Sequence, residues 1–315
     1  MKVICVGMMV CDILLSPVPD DIMARDSARI DASVRSSGGD ALNVAISLSK
    51  LGLDVSIAGR VGADFNGDFL LSECKKFGVD SSSVVKDSQC GTAVTYVLIG
   101  SQAERHFLTE NEIFKKLTFE DIATQQVEKA DYVYFGSAMG MDSMDANGTA
   151  RLFQLARSMG KMTFMDAAIN SEDSEADWLS RLSPQLKVTD VFFPSYGEAK
   201  LISGKEELRE IAACFKEFGM QVFGIKLGQR GCYVTDFRVA QIVPGVKGLP
   251  VVDTTGAGDS FMAGMMCALS HDYDFLESTR FANVVAAMNI GAIGGTAGVP
   301  DFDTALELFK RNQQN

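Results

Sequence analysis

Residues 253–261 read DTTGAGDSF, and the residue types in that stretch point to phosphoryl chemistry. Gly256, Ala257 and Gly258 make a turn with almost no side chain, and Phe261, Met262, Met265, Met266, Ala268 and Leu269 follow at helical spacing. A bare turn that opens a helix offers its backbone N–H groups as an anion site. Asp259 nevertheless places a carboxylate on the same first turn. A carboxylate repels phosphate unless a third group stands between them, and a substrate hydroxyl is the natural one. Asp259 then accepts the hydroxyl proton as the oxygen attacks phosphorus. The N–H groups of Gly256, Ala257 and Gly258 hold the charge that gathers on the phosphoryl group. The helix dipole is expected to keep Asp259 ionised, the state a base requires. On these residues alone, an aspartate that merely caps the helix is the alternative.

Other phosphate and nucleophile motifs are missing. Gly204–Lys205 lacks the upstream glycine of a P-loop, since position 199 is Ala, and Glu206 follows it. Gly256 and Gly258 supply half of a dinucleotide fingerprint, but position 261 is Phe. No protein-kinase signature or G-x-S-x-G elbow occurs. DFNGD at 64–68 has its glycine too early for a calcium loop, and Asp64 reads as a helix cap. Seven scattered cysteines, an odd number, suit reduced thiols in a cytoplasm better than a disulfide framework. Two histidines and no C-x-x-C make a zinc site improbable. The net charge of −12 excludes a general affinity for nucleic acid or anionic membrane, while leaving room for a local cationic pocket.

The elements that must carry these residues alternate. KVICVG (2–7), VSIAGRVG (55–62), YVYFG (132–136), MTFMD (162–166), VFFPS (191–195) and VFGIKLG (222–228) read as strands. ALNVAISLSKLG (41–52), NGDFLLSECKKFG (66–78) and ANGTARLFQLARSMG (146–160) read as helices, and 257–312 as mostly helical. Near-continuous apolar strands between helices imply an α/β fold: three layers, a mainly parallel central sheet with helices on both faces. The opening MKVICVGMMVCDILL is interrupted by Asp12 and reads as a buried first strand, and no apolar run is long enough to span a bilayer. Two stretches, about 13–36 and 91–110, break the rhythm. GTAVTYVLIGSQAERHFL (91–108) looks like two strands around a polar turn, so these stretches are expected to form a small antiparallel β lid. Such a sheet covers a site, makes a dimer contact, or does both. Residues 1–315 are expected to form a single domain.

DTTGAGDSFMAG (253–264) closely resembles the C-terminal signature of the ribokinase-like, or PfkB, family of carbohydrate kinases. SGGDALNVAISLSKLGLDVSIAGRVGADFNGDFL (37–70) resembles that family's N-terminal signature, in the family's order. The resemblance implies ATP-dependent phosphorylation of an alcohol on a sugar or nucleoside, with Asp259 as base and Gly256–Ala257–Gly258 as anion hole. It places Gly38, Gly39 and Asn43 along the sugar site and has Asp12 grip sugar hydroxyls. It assigns Asp253 and Thr255, with carbonyls near Gly294, to a potassium ion. FPSYGEAKL (193–201) resembles the segment that handles magnesium and its waters: Glu198 matches, but the family asparagine is Ser195 here. Magnesium itself is expected on ATP phosphates and water. IKLGQRG (225–231) resembles the nucleotide-binding strand and turn, with Lys226 near the phosphates and Gly228 and Gly231 under the adenosine; Asn283 edges the adenine pocket.

The substrate stays open. Asp40, with Asp12, favours a neutral polyol or furanose, yet G-G-D-x-x-N also resembles 2-keto-3-deoxygluconate kinases. An acidic sugar would need a cation, for which Arg105 is the nearest candidate, though Arg105 also reads as a lid-surface residue. A nucleoside would want an apolar cleft, which Phe107 could supply unless it is core of the small sheet. Two other classes stand beside the kinase: a sugar- or nucleotide-binding regulator, to which Ser195 points, and an oxidoreductase, which the missing fingerprint disfavours. A homodimer through the lid is a further expectation.

Overall fold

In the computed structural model, which describes residues 1–100, 104–169 and 177–313, the first apolar run becomes β1 (Lys2–Val6). There follow β2 (Val10–Ser16), β3 (Ala32–Gly38), α1 (Asp40–Lys50), β4 (Asp54–Ala58), β5 (Arg60–Gly62), α2 (Phe65–Lys76) and β6 (Val85–Asp87). The middle of the chain holds β7 (Val94–Ile99), β8 (Arg105–Glu110), α3 (Thr124–Lys129), β9 (Tyr132–Ala138), α4 (Thr149–Ser158), β10 (Met162–Ala167), α5 (Trp178–Leu186) and β11 (Val191–Phe192). The last third holds α6 (Tyr196–Ser203), α7 (Leu208–Phe215), β12 (Val222–Lys226), β13 (Cys232–Thr235), β14 (Ala240–Val243), α8 (Ala257–Ser270), α9 (Phe275–Asn289) and α10 (Phe302–Gln313).

The main sheet runs β14-β13-β12-β11-β10-β9-β1-β4, parallel from β12 to β4, with β13 and β14 turning back antiparallel. Its two faces explain the continuous apolar strands. Val3 and Cys5 of β1 pack with Leu42, Phe261 and Phe281 of α1, α8 and α9. Ile4 and Val6, pointing the other way, pack with Phe153, Leu182 and Phe215 of α4, α5 and α7. The expected three layers are present. VSIAGRVG is not one strand, however: the chain leaves the main sheet at Gly59, where a Cβ would meet Met9 Sδ at 2.9 Å, and β5 pairs with β6 instead. VFFPS is likewise reduced to two residues, because Pro194 has no N–H to continue the ladder. Asp64 caps α2 as expected, accepting from the Gly67 N–H.

The second sheet runs β3-β2-β7-β8, two antiparallel hairpins joined where β2 and β7 lie parallel. It is built from the two stretches expected to form the lid; part of the polar turn expected between β7 and β8, residues 101–103, lies outside the described residues. Strand alternation places Asp12, Ser36, Thr95, Arg105 and Phe107 on the face that lines a pocket. The strand order reverses around β1, the place where open α/β sheets bind ligands at strand C-termini.

Candidate active site

Two cavities meet at that edge. The larger, about 590 Å³, is lined by Asp166, Ser195, Glu198, Lys226, Gly228 and Gly231. The smaller, about 330 Å³, lies under the second sheet. Asp40 and Asp259 border both.

The start of α8 stands between them, with Gly256 on the smaller cavity and Ala257 and Gly258 on the larger. Gly256 takes φ +71°, and a Cβ there would lie 1.9 Å from the Gly295 carbonyl oxygen, so the turn needs glycine. Asn289 of α9, a buried residue that motif reading missed, donates to the carbonyls of Gly295 (2.8 Å) and Gly256 (3.3 Å) and ties the turn down. Of the three N–H groups expected to hold an anion, that of Ala257 donates to the Thr254 carbonyl at 3.2 Å.

Asp259 is partly open to the cavities and accepts from Asn43 Nδ2 at 2.8 Å. Asn43 borders the smaller cavity, but its amide nitrogen serves the carboxylate. Burial pushes the Asp259 carboxyl up, and the Asn43 bond and the Lys226 charge pull it back, while Glu198 adds to the rise. The direction is opposite to the one expected from the helix dipole, because desolvation outweighs it.

Asp12 and Asp40 flank Asp259. Burial first, and the charge of Asp259 second, pushes each up to about 7. Asp40 is pinned by the Ser137 hydroxyl at 2.5 Å and the Ala41 N–H at 2.6 Å. Gly39 lines the smaller cavity. Gly38 acts through what it lacks: a Cβ on it would stand 2.1 Å from Asp12 Oδ2.

In the larger cavity, Lys226 at the end of β12 is paired with Asp166 at the end of β10. Burial alone would lower the lysine, but Asp166, Glu198 and Asp259 hold it up, so it stays a cation. Burial raises the Asp166 carboxyl and Lys226 pulls it back. Asp166 was not expected; the sign available was a lone carboxylate closing the apolar strand MTFMD. Ser195 and Glu198 satisfy one another in a capping box at the start of α6, the Ser195 N–H donating to Glu198 Oε2 at 2.8 Å. Asn283 borders the cavity, but its side-chain N–H groups donate to the carbonyls of Val243 and Pro244.

Arg105 is where expectation and structure part. Its Nη1 donates to Asp253 Oδ1 at 2.7 Å and to Thr255 Oγ1 at 2.7 Å, so it is neither a plain surface group nor a cation free for an acidic substrate. Burial would raise Asp253, but the N–H groups of Thr255 and Gly294, the Thr255 hydroxyl and Arg105 hold it below the usual carboxylate range. These residues do not fit the potassium ion expected of them: the guanidinium nitrogen already stands where an ion bridging Asp253 and Thr255 would sit. Phe107 lines the smaller cavity and is 58 % exposed, which removes its reading as core. Among the described residues, no cluster of three or more His, Cys, Asp or Glu could hold a metal, and no helix is long and apolar enough to cross a membrane.

The family model described as "pfkB family carbohydrate kinase" matches residues 1–301. The chain is 26 % identical to fructokinase-1 of Zea mays, over 90 % of this chain and 91 % of that one. It is 25 % identical to the 2-dehydro-3-deoxygluconokinase of Bacillus subtilis, over 82 % of each chain. Its fold is similar to that of a fructokinase from Xylella fastidiosa solved with bound ATP, with a TM-score of 0.84, 20 % identity and 99 % of each chain covered. With the match running from the first strand to the end of the last loop before α10, the chain belongs to the pfkB family of carbohydrate kinases.

Proposed function

We propose that the protein transfers the γ-phosphoryl group of ATP to a hydroxyl of a neutral sugar. One observation carries this: Asp259 sits at the junction of two cavities, on the first turn of a helix whose N-terminus opens between them. The larger cavity takes the nucleotide: it holds the buried cation Lys226, and the fructokinase of similar fold was solved with bound ATP. The smaller takes the sugar. The sugar oxygen attacks the γ-phosphorus, its proton passes to Asp259, and the bond to the β–γ bridging oxygen breaks, leaving ADP with that electron pair. The Gly256 and Gly258 N–H groups, rather than that of Ala257, hold the charge on the phosphoryl oxygens, with Lys226 beneath them: a Cβ on Gly258 would lie 3.1 Å from Lys226 Nζ.

Magnesium would enter the larger cavity on the triphosphate, and Glu198 and Asp166, which line it, would hold the ion through its waters with the oxygens that their bonds to Ser195 and Lys226 leave open. When bound, it neutralises phosphate charge. Potassium is not part of this reading, for the reason given at Arg105. Asp12 and Asp40 suit the hydroxyls of a neutral polyol or furanose, and the commitment of Arg105 to Asp253 counts against a sugar acid. Residues 1–315 act as one domain with the second sheet as lid, and Tyr96 and Leu108, exposed on its outer side, make it the face for a homodimer.

ADP release across neutral sugars, sugar acids and nucleosides tests the assignment. Turnover of a neutral sugar is expected. Tight binding without turnover would make the protein a regulator, and turnover confined to sugar acids or nucleosides would overturn the substrate class.

A further inference from the structure

Arg105 is the first residue of β8, on the lid sheet, and its partners lie 148 and 150 residues further along the chain. Asp253 is 4 % exposed, and a carboxylate so far removed from water needs a counter-charge. Its other bonds come from the loops it joins: Oδ1 accepts from the Thr255 N–H at 2.9 Å, and Oδ2 from the Gly294 N–H at 2.8 Å. One of these loops runs straight into Gly256 and α8. The other carries Gly295, against whose carbonyl Gly256 closes. The phosphate-binding turn therefore hangs between two loops that Asp253 staples together, and the staple is neutralised from the lid.

We infer that Arg105 is a positioning residue for phosphoryl transfer: a cation carried by the lid that does the work of a monovalent ion, so that closing the lid and bracing the phosphate-binding turn are one event. The inference rests on the kinase reading above and goes beyond it. Guanidinium keeps its charge at any working pH and offers fixed N–H directions, which suits a carboxylate and a hydroxyl held side by side. An enzyme built this way needs no potassium.

The test is steady-state kinetics of the unmodified chain on its neutral sugar, with potassium chloride replaced by tetramethylammonium chloride at equal ionic strength. The same assay is then run on Arg105→Ala and Arg105→Lys, with thermal unfolding of each as a control for folding. The expected result is an unmodified chain indifferent to potassium. In Arg105→Ala, kcat falls by about 10–100-fold, less than for a lost direct oxyanion donor, with sugar KM little changed. Methylguanidinium or potassium restores part of that loss, and Arg105→Lys retains more rate than Arg105→Ala. Turnover by the unmodified chain that potassium accelerates overturns the inference alone, and needs no variant. A rise in sugar KM with kcat untouched in Arg105→Ala also overturns it, because that marks a substrate contact. Absence of turnover by the unmodified chain on every acceptor overturns both the inference and the kinase reading.

Discussion

The two cations of the site belong to different parts of the molecule and are held in different ways. Lys226 ends an interior strand of the main sheet and is paired with Asp166 at the end of a parallel strand two places away. Arg105 begins an edge strand of the lid and reaches across the smaller cavity to Asp253. The first pair lies wholly within the main sheet. The second spans the two sheets and, under the lid closure proposed above, forms only when the lid is down. On the proposed reading, a fixed charge under the phosphates and a conditional charge beside them would let nucleotide binding and catalytic readiness be separate events, each set by its own pair.

Asp259 lies where the influence of both pairs converges, so removing it breaks the comparison outright. Asp259→Asn is expected to lower kcat by ~10²–10⁴ with both KM values little changed, since the proton of the attacking hydroxyl then has no acceptor. An unchanged kcat would show that the base lies elsewhere. The next effect separates the pairs by stability. Lys226→Met leaves Asp166 buried without its partner, and breaking a buried pair in this way costs about 3–5 kcal/mol. Adding Asp166→Asn should recover most of that loss in urea unfolding. Arg105→Ala also strips a buried carboxylate of its counter-charge and should lose stability too, but less, because Asp253 keeps two bonds from the Thr255 and Gly294 N–H groups. Equal losses for the two single variants would erase the distinction between a fixed and a conditional cation.

How much of this was legible before folding follows from distance along the chain. The main sheet was readable because each apolar run and each helix carries its own period, and the turn at 256–258 because the glycines and the Asp259 carboxylate are contiguous. Asp12 and Asp40 were readable through the resemblance, since each lies in or beside a local motif. What escaped depends on partners brought together late: Asp166 with Lys226 across 60 residues, and Arg105 with Asp253 across 148. No local pattern distinguishes a lysine that ends a strand in solvent from one that ends it against a carboxylate. The break at Gly59 escaped for the same reason, since the residue packed over it, Met9, lies in another segment.

The smaller cavity can be probed without touching either cation. Gly38→Ala puts a methyl group where the Asp12 carboxylate stands, so Asp12 must move off the pocket. Losing one hydrogen bond to a charged group should raise sugar KM about tenfold while leaving ATP KM unchanged. A change in ATP KM instead would show that the two cavities are not independent, and the division of labour would fail.

The smallest effect is titration, and its sign follows from burial. Asp12 and Asp40 titrate near 7 in the folded protein against an ordinary value of 3.8. Between those values the folded chain keeps protons that the unfolded chain has released, so folding stability falls as pH rises from about 4 to about 7 and then levels off. The same ionisation turns both groups into full acceptors, so kcat/KM for the sugar should climb with pH and level off above about 7. Both face Asp259, so the observed midpoints belong to the acidic group as a whole. Asp12→Asn removes one member, and its stability relative to the unmodified chain should therefore grow between pH 5 and pH 7. Buried acids elsewhere, Asp145 among them, add to the fall in both proteins and cancel in the difference. A difference that stays flat across that range would mean Asp12 is ionised throughout, and the pocket would then be wetter, and its grip on sugar hydroxyls weaker, than its burial implies.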